Sequence, residues 1–344
     1  MQNSIKNKII RTFLNNNLIH FSDYLASLKN EDKTLFIDTV FNIIEPIIKN
    51  IDVIKNIDDW DTKNDLFDRI EEVGYHLLPV HYYSPIPSKQ ELLNFDFNKS
   101  PYNLAYDFKE KFQLELLNKF ARYNEELYDI PIKQQREDEY AWENPAFWPF
   151  DAIVYYSFIR EFKPSVVVEV GSGYSSLMAA KALVENKKGM LKCVEPYPYE
   201  FLKKGFKGLT NLIEKRVQDV DVDVFMEMKK NDILFIDNTH VCKTGSDVNY
   251  LILEILPILN PGVIIHFHDI YLPYEYPKSW LIDKKLFWNE QYLLNAFMMF
   301  NNSFEVMLTN FLIGRKHVGK FKNAFPCIAN YAEGGGSFWI RKIK

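Results

Sequence analysis

The stretch Val166-Val-Val-Glu-Val-Gly-Ser-Gly-Tyr-Ser-Ser176 decides how this chain is read. Apart from Glu169 its first five residues are all valine, as in a strand buried on both faces of a parallel sheet. Gly171 and Gly173 follow, where a backbone can turn sharply and come close to a ligand. Ser175 to Asn186 then reads as a helix. Strand, glycine turn and helix in that order build an open α/β sheet, whose ligands sit at the carboxyl ends of the strands.

Working outward, the same rhythm repeats. Asp151–Phe162 reads as a helix before the valine strand, and Met190–Val194 as the next strand after it. Lys229–Ile236 leads into a strand, Asp247–Leu259 is helical, and Pro261–His266 opens another strand. Trp288–Phe300 is helical, and Phe304–Leu308 and Ser337–Arg341 are the last two strands, the second behind Gly334-Gly-Gly336. Alternating strands and helices predict a doubly wound, mostly parallel sheet, and the final pair suits an antiparallel edge.

Residues 1–140 carry a different pattern. Phe36, Val40, Ile43 and Ile44, and again Phe112, Leu116, Leu117 and Phe120, fall at helical spacing. The prolines of Leu78–Pro87 interrupt any long helix between them. A second break, Trp142-Glu-Asn-Pro-Ala-Phe-Trp-Pro149, sets off the sheet region. The expected division is a helical extension at 1–140, serving as a cap on an acceptor cleft or as an oligomer interface, and a ligand-binding α/β domain at 141–344.

Composition bounds the function. The 344 residues carry a net charge of −5 with 25% charged residues, which argues against a protein that works by neutralising nucleic-acid phosphates. Three separated cysteines, Cys193, Cys242 and Cys327, imply neither a disulfide framework nor a zinc site. No stretch approaches 18 uncharged apolar residues, and Met1–Leu18 lacks an apolar signal core, so no membrane span is expected and the cytoplasm is the expected compartment.

Four segments carry chemistry. The glycine turn lacks the third glycine of a dinucleotide fingerprint, since its sixth position is Ser176. Glu169 before the turn instead suits a cationic, methionine-like ligand, and Glu195, 26 residues on, suits a carboxylate that accepts both ribose hydroxyls. Gln218 and Asp219 of Arg216-Val-Gln-Asp219 border an adenine edge or form an ordinary surface loop. Asp237 and His240 follow the strand Ile233–Ile236, and an Asp at the tip of a buried strand is unusual unless solvated, paired or bound. His266 and His268 share one face of the next strand, with Asp269 opening its loop. Neighbouring parallel strands bring Asp237, His240, His268 and Asp269 to one edge, where they would hold a divalent cation such as Mg²⁺ or orient an imidazole base.

These residues resemble the class I methyltransferases of the bacterial group labelled methyltransferase domain 24. The resemblance is carried by Glu169–Ser176, by the Asp237-x-x-His240 loop and by His266-Phe-His-Asp-Ile-Tyr-Leu-Pro273. His81–Pro87, Asp151-Ala-x-x-Tyr-Tyr156 and Trp288–Leu294 add to it, so that it spans about residues 75–341. It implies S-adenosylmethionine as methyl donor and a Rossmann-like, seven-stranded sheet whose last strand is antiparallel. On that basis Glu169, Gly171, Ser172, Gly173, Tyr174, Ser175, Glu195, Gln218, Asp219 and Asp237 are expected to bind the donor. Macrolide-sugar O-methyltransferases of the wider fold place a metal-binding Asp three residues before a catalytic His, a spacing that Asp237 and His240 match. The acidic pair such enzymes carry after the next strand reads His268-Asp269 here, so that the metal set would be Asp237, His268 and Asp269 with one imidazole replacing a carboxylate.

The resulting expectation is an O-methyltransferase acting on a sugar hydroxyl, free or nucleotide-linked, in surface-polysaccharide or natural-product synthesis. His240 is the expected base, assisted by Asp237 and Asp269, with His268 as second candidate. Tyr82, Tyr83, Trp148 and Tyr174 are expected to line the acceptor cleft, and a homo-oligomer is the expected assembly. An N-methyltransferase of an amino-sugar or small amine, and a non-catalytic protein that binds the donor, are the alternatives.

Overall fold

The computed structural model describes residues 25–27, 29, 32–54, 67–76, 80, 82–100, 104–331 and 334–344. Met1–Leu18, Leu78, Pro79 and His81, which entered the sequence reading, lie outside the described residues. The chain forms two compact units, Met1–Pro85 and Ile86–Lys344. In the first, helix α1 (Lys33–Ile54) contains the expected Phe36–Ile44 repeat and runs through Pro46.

The second unit holds the sheet. Residues 86–140 belong with it rather than with an N-terminal extension, because helix α2 (Lys89–Asn94) and helix α3 (Glu110–Phe120) are parts of this body. Leu116, Leu117 and Phe120 of α3 enter the main core against Phe158. Helix α4 (Pro149–Phe162) is apolar nearly all round and buried from Pro149 to Ile159, as expected of a helix enclosed on every side. Proline at its first position supplies a preset φ where no donor is needed.

The turn unit follows as strand β1 (Val166–Val170) and helix α5 (Tyr174–Asn186). Strands β2 (Met190–Val194), β3 (Leu209–Ile213), β4 (Ile233–Ile236) and β5 (Ile264–Phe267) are added in parallel. Helix α6 (Glu290–Met298), strand β6 (Phe304–Thr309) and strand β7 (Phe338–Lys342) complete the sheet in the order β3-β2-β1-β4-β5-β7-β6. The last strand, β7, is antiparallel to both β5 and β6. The fold is thus the Rossmann-like, doubly wound sheet of seven strands.

Alternation along β1 sends Val167 into one core layer and Val168 and Val170 into the other. Helices α3, α4 and α5 cover the first face. The second is covered by α6 and by the run 247–258, which is not the uniform helix expected from its pattern. A π-helical turn at Leu251–Ile255 interrupts it just ahead of Pro257, whose ring takes away a donor and crowds the preceding turn.

Candidate active site at the carboxyl edge of the sheet

The register of the parallel strands sets out the site. Val170 pairs with both Val194 and Ile236, and Ile236 pairs with Phe267. One residue further on, Glu195, Gly171, Asp237 and His268 therefore form a row across four strand ends. Backbone bonds extend the ladder through this row: Gly171 donates to Val194 (3.0 Å), Asp237 to Val170 (2.8 Å) and His268 to Ile236 (2.9 Å).

At the centre of the row the glycine turn is wedged against β4. Gly171 has φ +80°, and a Cβ there would lie 1.6 Å from the carbonyl oxygen of Asp237. Gly173 is extended at φ −173°, with the Tyr199 ring 3.2 Å from where a side chain would begin. The Tyr174 ring meets Tyr199 edge-on at 5.7 Å, and Ser175 is buried in the first turn of α5. Glu195 remains partly exposed beside the turn and accepts from the backbone of Ser172 (3.2 Å) and Tyr197 (2.9 Å). Ser172 Oγ is buried without a hydrogen-bond partner, a group that costs free energy unless something meets it. A cleared backbone, an unsatisfied hydroxyl and a half-open carboxylate make a cradle that fits a nucleoside with a methionyl arm.

Glu169 corrects the sequence reading. Rather than facing a ligand, its carboxylate is fully buried behind the turn, where Tyr155 Oη (2.9 Å) and Ser176 Oγ donate to it. Burial outweighs these bonds and pushes its pKa up to about 7. Glu169 supports the turn from within. Asp219 is also engaged elsewhere: it is exposed and paired with Arg216 at 2.8 Å, an ion pair that keeps its pKa low. Gln218 is bonded to the carbonyl of Gly245 (3.0 Å).

On the other side of the row, four acids surround two imidazoles. His240 Nε2 lies 3.3 Å from Asp237 and 3.8 Å from Asp269, while its Nδ1 lies 2.9 Å from Glu290. His268 Nδ1 lies 3.4 Å from Asp237 and 3.5 Å from Asp269, and its Nε2 is 3.6 Å from Asp151. Asp237, His240, His268 and Asp269 are thus brought together, and Glu290 and Asp151 join them from behind. Asp151 is anchored by the backbone N–H groups of Gly336 (3.1 Å) and Ser337 (2.9 Å) and by Asn310 (2.7 Å). His240 and Asp269 both adopt left-handed backbone, at φ 60° and 55°, a conformation costly for residues with side chains. Asp269 packs on Gly336, where a Cβ would come within 2.8 Å of its Cα, and the next residue, Ile270, donates to Gly336 O (2.8 Å).

The charges follow from these contacts. Burial opposes a charge on His240, but Asp237 and Glu290 overcome it and hold its pKa at about 10. Burial likewise opposes a charge on His268, and Asp269, Asp237 and Asp151 raise it well above the ordinary value. Burial pushes Asp237 up, yet the two imidazolium charges hold it well below the usual carboxylate range. His266 goes the other way. Sealed beneath the site, it stacks on Phe235 at 3.9 Å, its Nε2 lies 2.8 Å from Ser337 Oγ, and burial keeps it neutral.

The expected metal set is not carried further. Among the described residues no group of three or more His, Cys, Asp or Glu is arranged to hold a metal ion. Of the residues expected to line the acceptor cleft, Trp148 is exposed next to Phe147, whose ring lies 5.4 Å from that of His268. Tyr82 and Tyr83 are exposed in the first unit, with their rings 4.0 Å apart.

Glu290 and Asp151 were not singled out from sequence. Asp151 left a trace, as the first residue of the Asp151-Ala-x-x-Tyr-Tyr156 motif and an acid in the buried stretch Pro149–Ile159. Glu290 lies in the Trp288–Leu294 segment of the resemblance, but its tie to a histidine 50 residues away has no mark in the sequence.

Known proteins bear on this site. A methyltransferase-domain family model matches residues 168–270, the segment that contains the whole row of Gly171, Glu195, Asp237 and His268. A protein of Archaeoglobus fulgidus, described as uncharacterized, is 34% identical over 173 residues, covering 47% of this chain and 78% of the relative. Solved structures that resemble the chain include the O-methyltransferase TomG of Streptomyces achromogenes in complex with SAM (14% identity, 67% of this chain and 90% of that one, TM-score 0.35). The O-methyltransferase of Bacillus cereus in complex with SAH is another (13% identity, 69% and 92%, TM-score 0.35). The chain belongs to the class I methyltransferase family and is an S-adenosylmethionine-dependent methyltransferase.

Proposed function

We propose that this methyltransferase acts on a hydroxyl of a small acceptor, most simply a sugar, and that His240 is the base. One observation carries the reading: the register places the donor turn at Gly171 and the acid–base cluster at Asp237 and His268 in a single row. Glu195 is assigned to the ribose hydroxyls, Ser172 and the turn backbone to the methionyl arm, and Asp237 to both halves of the site.

Bound in that cradle, S-adenosylmethionine supplies a methyl group already activated on a sulfonium. The chain has to position the acceptor and remove its proton, because a sugar hydroxyl is almost fully protonated at pH 7. The hydroxyl proton would pass from the acceptor to Nε2 of His240 as its oxygen takes the methyl group, while the turn at Gly171–Gly173 would hold the donor, whose sulfur would keep the electron pair of the broken bond. Asp237 and Asp269 stabilise the resulting imidazolium. Since Asp237 and Glu290 already hold His240 at about 10, only the small unprotonated fraction acts at neutral pH.

Asp237 and Asp269 also favour a second reading, methylation of an amine, because they are the members of the cluster that keep some solvent exposure and would attract a cationic acceptor. Turnover of a panel of neutral, amino and nucleotide-linked sugars separates the two. The His240→Ala variant is expected to lose 10²- to 10⁴-fold in kcat on a hydroxyl acceptor, the usual range for a general base, while still binding S-adenosylhomocysteine. Activity within a few-fold of wild type refutes the base assignment.

A further inference from the structure

We infer that the segment Trp288–Glu290 is the positioning device for His240, with Glu290 fixing which ring nitrogen faces the acceptor. The inference rests on the base reading above and adds a residue to it. Glu290 Oε2 stands 2.9 Å from His240 Nδ1. A carboxylate is the partner that keeps a proton on that nitrogen, leaving Nε2 as the one that exchanges a proton toward Asp237 and Asp269. Glu290 has only 1% of its surface exposed, and its other oxygen, Oε1, has no hydrogen-bond partner. An acid buried at that cost, with a single charged partner, is placed to act on that partner.

The neighbouring residues fix the rest of the loop. Backbone N–H groups of Asn289 (3.1 Å) and Glu290 (3.2 Å) both donate to the carbonyl of His240. Asn289 Oδ1 accepts from the backbone of Cys242, two residues beyond the histidine. The Trp288 ring lies 4.3 Å from the imidazole and blocks one of its faces. Three consecutive residues thus hold the backbone, the ring plane and the tautomer of a histidine in left-handed conformation. Ordinary helix packing requires none of these three together.

The test compares Glu290→Gln, Glu290→Asp and His240→Ala in the full chain. Glu290→Gln keeps the shape but removes the charge, so kcat on the alkaline plateau, where the ring is unprotonated in both proteins, is expected to fall roughly tenfold or more, with S-adenosylhomocysteine affinity and acceptor KM unchanged. Glu290→Asp keeps the charge and is expected to recover part of that loss. Nitrogen-15 spectra of the His240 ring in the S-adenosylhomocysteine complex, recorded above pH 10 where the ring is neutral and has a tautomer, are expected to show a protonated Nδ1 in wild type and a shifted Nδ1 signal in Glu290→Gln. If kcat is unchanged in Glu290→Gln while His240→Ala is inactive, the inference is overturned and the base reading stands. If His240→Ala is active, the base reading fails, and the ring spectra alone decide whether Glu290 sets the tautomer. Unchanged ring signals in Glu290→Gln overturn it. Should Glu290→Gln unfold, Glu290→Asp answers by the same two measurements, with wild-type kcat and an unmoved Nδ1 signal as the overturning result.

Discussion

The α-carbon of Gly171 rests against the carbonyl of Asp237 so closely that a single added carbon would lie 1.6 Å from that oxygen. The donor turn and the acid–base loop therefore cannot move independently. Gly171→Ala is expected to cost about 3 kcal/mol or more, since it adds both a backbone clash and a side chain at φ +80°. Gly173→Ala, extended and facing only the edge of a ring, should cost much less. Thermal unfolding of the two variants checks the order, and equal losses contradict this account of the turn.

Glu169 makes stability depend on pH in a particular direction. Its folded pKa of about 7 lies above its ordinary value near 4.5, so the folded state holds a proton that the unfolded chain has released. Its contribution is fully present below about pH 4.5, declines as pH rises, and is lost above about 7, for a total of roughly 3 kcal/mol. Glu169→Gln, neutral at every pH, should flatten that slope and be more stable than wild type at pH 8. Denaturant midpoints at pH 5.5 and 8 measure it, and parallel curves for the two proteins would falsify the assignment.

The charge on His240 predicts an alkaline activity profile. With Asp237, Asp269 and Glu290 facing its ring, and His268 sharing the first two, the cluster titrates as a unit whose raised step lies near 10. On a hydroxyl acceptor, kcat/KM is expected to rise close to tenfold per pH unit between about 7 and 9. A plateau beginning at pH 7 means that the free enzyme does not carry this imidazolium.

Donor affinity should separate Glu195 from Asp219. Glu195→Ala is expected to weaken S-adenosylhomocysteine binding roughly 10- to 100-fold, the effect of losing charged hydrogen bonds to two hydroxyls. Asp219→Ala, which removes only an exposed pair with Arg216, is expected to change it less than about threefold. Calorimetric titration reads both, and a reversed order would move the ribose site to the other loop.

Chelation provides a further check. If both imidazoles are held as cations by the surrounding acids, prolonged treatment with EDTA should leave turnover within about twofold of untreated enzyme. Loss of activity that Mg²⁺ restores would return Asp237, His268 and Asp269 to the role of ligands.

The sheet was legible because its strands announce themselves locally. Val166–Val170 and Met190–Val194 were read to the residue, since a run of β-branched or apolar residues ending at a glycine turn or an acid has little else to be. The row Glu195, Gly171, Asp237 and His268 was legible for the same reason, each residue marking a strand end. What sequence could not give was the direction of a side chain in a strand enclosed on both faces. Glu169 sits in such a strand, and its inward turn depends on Tyr155 and Ser176 from two flanking helices. The extent of the sheet unit was missed as well, because helical spacing in α3 is the same whether the helix packs on this core or on another.

Gly336 and Ser337 grip Asp151 and seat Asp269, although both lie well beyond the donor turn along the chain. During synthesis, therefore, the glycine turn, both site histidines and Glu290 are all made before Gly336 and Ser337. The acids beside His268 still lack their support until β7 slides between β5 and β6. A nascent chain can acquire its methyl-donor cradle early, but its capacity to turn over is withheld until that late strand emerges, and premature termination anywhere before it should yield a protein unable to methylate.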